Sequence, residues 1–143
     1  MDIAALIAWL LTAVGGFVML GMWIAKGGTR QPRTSKFPPG LIFGHFALAA
    51  AGLVVWIIYL FADSAALAWV AFILLLPTAV LGFTMLARWI PARQAATVGG
   101  GSEAATTAQH VPAEQNFPVA VVGGHGLFAV ATVVLVLLAA LQA

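Results

Sequence analysis

Thr12-Ala13-Val14-Gly15-Gly16-Phe17-Val18-Met19-Leu20-Gly21-Met22-Trp23-Ile24 is written again 66 residues later as Thr78-Ala79-Val80-Leu81-Gly82-Phe83-Thr84-Met85-Leu86-Ala87-Arg88-Trp89-Ile90, identical at nine of thirteen positions. A second match follows each copy. Phe37-Pro38, five residues, then Gly44-His45 and Ala49 is echoed by Phe117-Pro118, five residues, then Gly124-His125 and Ala129. The chain is therefore one unit repeated, and each copy carries one histidine at the same place.

Both copies are built from apolar runs. With 63% hydrophobic and 7% charged residues and a mean hydropathy of +1.08, the chain has too little polar surface to face water on all sides, which excludes a soluble domain. Four runs, 3–25, 38–62, 65–91 and 117–142, are long enough to cross about 30 Å of hydrocarbon at about 1.5 Å per residue. The expected fold is an all-α membrane protein, a four-transmembrane-helix bundle built from two parallel-repeat helical hairpins, 3–62 and 65–142. The first run lacks a basic segment before it and a small-x-small cleavage site, so it reads as a permanent helix and not as a secretory signal. With no cysteine, disulfides, thiolate metal sites, iron–sulfur clusters and covalently attached haem are excluded.

The six basic residues share one side: Lys26, Arg30, Arg33 and Lys36 between the first two helices, and Arg88 and Arg93 at the end of the third. The positive-inside rule then predicts that these loops are cytoplasmic, with both termini and the turn at Asp63-Ser64 outside. Trp23 and Trp89 are expected near the inner interface, and Trp9, Trp56, Tyr59 and Trp69 near the outer one, as an aromatic belt. A pI near 9.7 fits this topology and contact with anionic lipid, and calls for no nucleic acid. Abundant Ala, Gly and Val with little Lys suggest a GC-rich bacterial genome, and the expected location is a bacterial cytoplasmic membrane.

The second half of the repeat is offset by 80 residues, against 66 for the first; the extra residues fall in 94–116, a Gly-, Ala-, Thr- and Ser-rich stretch that reads as a flexible linker. Its His110 reads as a solvated loop residue. Each hairpin starts and ends outside, so the two copies run in parallel about an axis along the membrane normal, and helices two and four can stand diagonally. Phe-Pro opens both, with the proline suited to a first helical turn. In helices one and three the substitutions fall at 15/81, 18/84, 21/87 and 22/88. The unchanged Thr12, Gly16, Met19 and Trp23, with Ala13, Phe17, Leu20 and Ile24, are expected to face the bundle interior and the changed positions to face lipid.

His45 and His125 stand seven residues beyond their prolines, roughly 10 Å into the bilayer. A polar side chain at that depth is costly unless partnered. The same level is reached by Gly16-Phe17 and Gly82-Phe83, so glycines cluster about the imidazoles: Gly16, Gly82, Gly44, Gly124, with Gly123 and Gly126. Two histidines at matched depth on facing helices, small residues where a flat macrocycle meets backbone, and Phe17, Phe83, Phe43 and Phe128 to line it are what one bis-histidine haem b requires. Lys36, Arg88 or Lys26 would pair with its propionates. The arrangement resembles the general plan of membrane b-type cytochromes, in which paired histidines on transmembrane helices clamp haem. That resemblance covers architecture and ligand pair only, and it implies electron transfer, as a small cytochrome or as the haem-carrying subunit of a respiratory or quinone-linked complex with other membrane subunits or a second copy.

Two alternatives stand beside it. Each histidine can instead hydrogen-bond a carbonyl or hydroxyl across the bundle, for a gain of about 1 kcal/mol, in a cofactor-free accessory or scaffold subunit. Met19 and Met85, duplicated about one turn toward the basic side, would with the histidines suit copper, although methionine in an apolar helix is usually packing material. No nucleophile–base set, phosphate loop or paired carboxylate is present. The acids Asp2, Asp63, Glu103 and Glu114 all fall outside the membrane core, which disfavours a proton pump or ion-coupled transporter. Thr12 and Thr78 are expected to bond within their helices or across the seam, and Pro77 to kink helix three.

Overall fold

Four long helices carry the chain: α1 (Asp2–Ala25), α2 (Pro39–Ala62), α3 (Ala65–Val98) and α4 (Val119–Ala140). The computed structural model describes residues 1–29, 35–98 and 112–143, with no strand among them. Arg30, Arg33, Glu103, His110 and most of the linker lie outside the described residues. Each helix is long and apolar enough to cross a membrane. The molecule is a four-helix membrane bundle.

The helices form a ring in the order α1, α2, α3, α4. α1 lies along α4 and α2 along α3; α3 meets α4 over a shorter stretch, and α1 meets α2 least of all. Helices α2 and α4 are thus diagonal, as the parallel repeat predicts. The extensive pairings α1/α4 and α3/α2 are equivalent under the internal two-fold.

A glycine pair decides where α1 stops. α1 ends at a Schellman turn, in which Gly27 takes φ +83° and the Gly27 and Gly28 N–H groups donate to the Ile24 and Trp23 carbonyls. In the second copy Arg93 and Gln94 occupy these positions, so α3 runs on to Val98, past the end expected at 91 and through both Pro77 and Pro91. α2 and α4 begin as the Phe-Pro pairs predict, with Pro38 and Pro118 as N-cap residues just before the first turn. The expected linker is not featureless either: Ala113–Asn116 forms a turn of 3-10 helix under the bundle.

Two aromatic-rich cores fill the ends. At the end holding the termini and Asp63, Trp9, Trp56 and Tyr59 pack with Ala5, Ala68, Ala71, Leu75, Val136, Ala139 and Ala140. At the basic end, Trp23, Trp89, Phe37, Phe117 and Ala113 pack with Met19, Met85 and their neighbours. Because lipid tails are as apolar as these side chains, such cores gain chiefly from close packing. This corrects the aromatic belt. Trp23 (0% exposed) and Trp89 (8%) point inward because their indole N–H groups reach Ser35 Oγ and the Glu114 carbonyl; of the tryptophans only Trp69 is exposed.

The expected inner stripe needs a similar correction. Thr12, Gly16, Met19 and Trp23 face inward with their second-copy counterparts, but Phe17 and Phe83 are 58% and 61% exposed, and Ile24 and Ile90 also face out. Gly15, a changed position, faces the interior because the α4 histidine lies against it. A straight helix facing two neighbours buries a narrower stripe than two adjacent rows of residues.

Candidate functional site

Between the two cores lies a polar layer made of His45, His125, Thr12, Thr78 and Thr132. His125 on α4 places Nδ1 2.8 Å from the Thr12 carbonyl of α1, and His45 on α2 places Nδ1 2.9 Å from the Thr78 carbonyl of α3. A carbonyl only accepts, so both Nδ1 atoms carry the proton and both Nε2 atoms keep a lone pair. The repeat has produced the same bond twice.

Each bond depends on a glycine four residues further along the partner helix. In an α-helix the residue at i+4 donates its N–H to the carbonyl at i, and its Cβ tilts back over that carbonyl. Gly16 and Gly82 hold these positions relative to Thr12 and Thr78. A Cβ built on Gly16 would come within 3.3 Å of His125 Cε1, and one on Gly82 within 3.2 Å of His45 Cε1. Gly15 adds room for the His125 stem, where a Cβ would meet His125 Cβ at 3.2 Å. A helix threonine followed by glycine at i+4 is thus a socket for an imidazole. The threonine hydroxyls turn back on their own helices, to the Ala8 and Leu74 carbonyls, and Thr12 Oγ1 lies 3.4 Å from Thr132 Oγ1.

The two rings meet across the bundle axis, their centroids 6.3 Å apart and their planes at 56°. That is the spacing of two imidazoles on opposite sides of one metal ion, since metal–nitrogen bonds of about 2.0 Å put the centroids roughly 6 Å apart. Donation of Nδ1–H to a backbone carbonyl is also the arrangement that orients metal-ligating histidines. No group of three or more His, Cys, Asp or Glu is found among the described residues. Two imidazoles alone leave most metal ions short of their usual four or more ligands.

The other expected site residues divide. Gly16 and Gly82 lie against the imidazoles, whereas a Cβ on Gly44 would meet only Leu81, at 3.9 Å, and Gly124, Gly123 and Gly126 border open space. Phe17 and Phe83 stand on the outer surface, with Phe17 edge-on to Phe46 at 5.6 Å. Phe43 packs on Trp23, and Phe128 is partly exposed. Met19 and Met85 pack against the Trp23–Trp89 core. Lys36 and Arg88 come together at the basic end, where Arg88 Nη1 donates to the Lys36 carbonyl at 3.2 Å.

Three parts of the site escape a reading by residue type. The Thr12 and Thr78 carbonyls are backbone, and their only sequence trace is the Thr-x-x-x-Gly spacing in both copies. Gly15 is hidden because its counterpart is Leu81. Glu114, read as a loop residue, is fully buried in the cap at the basic end. Its Oε1 accepts the Lys36 backbone N–H, its carbonyl accepts from Trp89, and Oε2 has no hydrogen-bond partner among the described residues. The Pro112 and Pro118 flanks of this short segment are the signal for a fixed turn.

Fold and site together define a membrane four-helix bundle with a two-fold pair of inward-facing histidines. Comparison with protein-family models, curated proteins and solved structures finds no match.

Proposed function

We propose that the bundle binds one haem b between His45 and His125 and acts in electron transfer, as a small cytochrome or as the haem-carrying subunit of a quinone-linked membrane complex. The observation that carries this is the ring pair: two imidazoles 6.3 Å apart across the axis, both fixed as Nδ1–H donors with Nε2 available. Haem would supply one-electron chemistry when bound, and His45 and His125 would hold its iron. Gly15 and Gly16 on α1 and Gly82 on α3 make room for the two imidazoles themselves. The Thr12 and Thr78 carbonyls hold both imidazoles in the ligating tautomer and raise their basicity. The cores on either side exclude water, and Lys36 and Arg88 supply positive charge at the basic end for propionates. A single centre in one half of the bilayer needs a quinone, another subunit or a second copy to complete the electron path. By the positive-inside rule the basic end is cytoplasmic and the termini are outside. A bacterial cytoplasmic membrane is the proposed location.

Copper draws less support, because Met19 and Met85 are engaged by the aromatic core. A cofactor-free scaffold draws support from one observation: each histidine already has a backbone partner, and Gly16 and Gly82 fit an imidazole. Purification after expression with ample haem separates the three. Haem binding gives a Soret band and a reduced α-band, both lost in His45→Ala and His125→Ala. Colourless protein containing copper, or colourless metal-free protein that co-purifies with a partner, contradicts the haem assignment.

A further inference from the structure

At the foot of α3 the two copies of the repeat diverge, and the divergence leaves a seat open. In the first copy the chain turns at Gly27 and lays Gly28 over Trp23, so closely that a Cβ on Gly28 would fall 2.2 Å from the indole. Arg93, Gln94 and Val119 replace Gly27, Gly28 and Pro39 in the second copy. α3 continues as a helix there, and a cavity of about 340 Å³ opens beside Trp89, lined by Ile90, Arg93, Gln94 and Val119. Where the first copy places backbone over the indole, the second places a cation: the Arg93 guanidinium carbon lies 5.7 Å from the Trp89 ring centroid.

We propose that this groove seats an anionic phospholipid, its phosphate on Arg93 and its glycerol and upper acyl chain along Ile90 and Val119. Charge and position both argue for this occupant. Arg93 uses one N–H group on the Phe117 carbonyl at 3.3 Å, and a guanidinium carries five donors in a fork that matches phosphate oxygens. Ile90 and Val119 are exposed on the outer surface of the bundle, so the groove opens sideways toward lipid. It lies at the basic end, where Trp and Arg side chains meet headgroups. The first copy has no counterpart, because Gly27-Gly28 closes that position; one seat per chain is expected.

The full chain in nanodiscs of phosphatidylcholine, with and without phosphatidylglycerol, tests this. Native mass spectrometry of the wild type retains one phosphatidylglycerol per chain, at least tenfold above phosphatidylcholine. Arg93→Gln abolishes the preference, and Val119→Trp, which fills the groove and keeps the charge, abolishes it too. Arg93→Lys retains part of it, and Lys26→Gln, a charge lost at the same end outside the groove, leaves it intact. Unchanged retention in both Arg93→Gln and Val119→Trp overturns the proposal, as does equal loss in Lys26→Gln, which would reduce the effect to general charge. Inorganic phosphate added to detergent-solubilised protein gives no protection against thermal unfolding; protection lost in Arg93→Gln would reassign the seat to a free anion and also overturn it. All these readouts are independent of haem.

Discussion

A histidine inside a membrane is unusual enough to draw attention, but the glycine opposite it decides its orientation. Gly16 and Gly82 expose the Thr12 and Thr78 carbonyls, and without a Cβ at these positions the imidazoles reach them at 2.8 and 2.9 Å. Gly82→Ala places a methyl within 3.2 Å of His45 Cε1, so the ring must give by a few tenths of an ångström and its bond to the Thr78 carbonyl weakens. In ¹⁵N spectra of the ring nitrogens, the wild type is expected to show two histidines protonated at Nδ1, and Gly82→Ala to shift His45 alone toward a mixture of tautomers. The lost bond costs about 1 kcal/mol, small because the ring finds other partners within the membrane. An unchanged His45 tautomer would show that glycine does not set the orientation. The histidine pair and its matched register on α2 and α4 were legible from Phe-Pro and the repeat. The socket was not, because a backbone carbonyl leaves no residue type to read.

At the scale of the helix, the repeat gives an internal control on which local signals govern the fold. Gly27-Gly28 ends α1, and Arg93-Gln94 at the matching place lets α3 run on. Substituting Gly27→Ala forces φ +83° on a residue with a Cβ and is expected to cost about 1 kcal/mol. Gly28→Ala is worse, because the new methyl would overlap Trp23 and drive apart the basic-end core; overpacking of this kind costs about 1–3 kcal/mol. Unfolding in detergent by denaturant titration ranks them, and Gly28→Ala is expected below Gly27→Ala. A second pair makes the reverse test. The Trp9 ring rests on Gly52, with a built Cβ 3.0 Å from it, whereas the matching residues of the other copy are Leu75 and Thr132. Gly52→Thr alone is expected to destabilise. Trp9→Leu with Gly52→Thr, which installs the second copy's pair, is expected to recover much of the loss, giving a favourable coupling in the double-mutant cycle; additive losses would show that the two residues do not share one space. Helix existence was legible because long apolar runs cannot be hidden. Which face turns inward was only half legible, because in a membrane both faces are apolar: Phe17 and Phe83 go to the surface although neither changes between the copies.

At the scale of the molecule, two aromatic cores bracket a polar layer, and a cap ties the basic end together. Lys36 donates to Glu114 Oε1, Trp89 to the Glu114 carbonyl and Gln115 to the Ala92 carbonyl, so the segments opening α2 and α4 are fastened to each other and to α3. Glu114→Gln keeps the acceptor for Lys36 and replaces a buried carboxyl oxygen that has no partner among the described residues, so it is expected to match or exceed the wild type in stability. Glu114→Ala leaves the Lys36 N–H without that acceptor and is expected to lie about 1 kcal/mol below Glu114→Gln in the same denaturant titration. Equal stability of the two would show that the Lys36 bond contributes nothing. The cap could not be read from the sequence, since its residues come from two stretches 78 positions apart, joined by the Lys36–Glu114 bond. The two glycine sockets lie on the two extensive seams, α1/α4 and α2/α3. The central claim is that one ligand joins the two copies at the bundle axis. The most direct test is the absorption spectrum of the full chain purified after expression with ample haem, read beside His45→Ala and His125→Ala. The expected result is one haem per chain, with a low-spin Soret band and a reduced α-band that either substitution abolishes. A folded wild type without a Soret band, or a band that survives both substitutions, would contradict it.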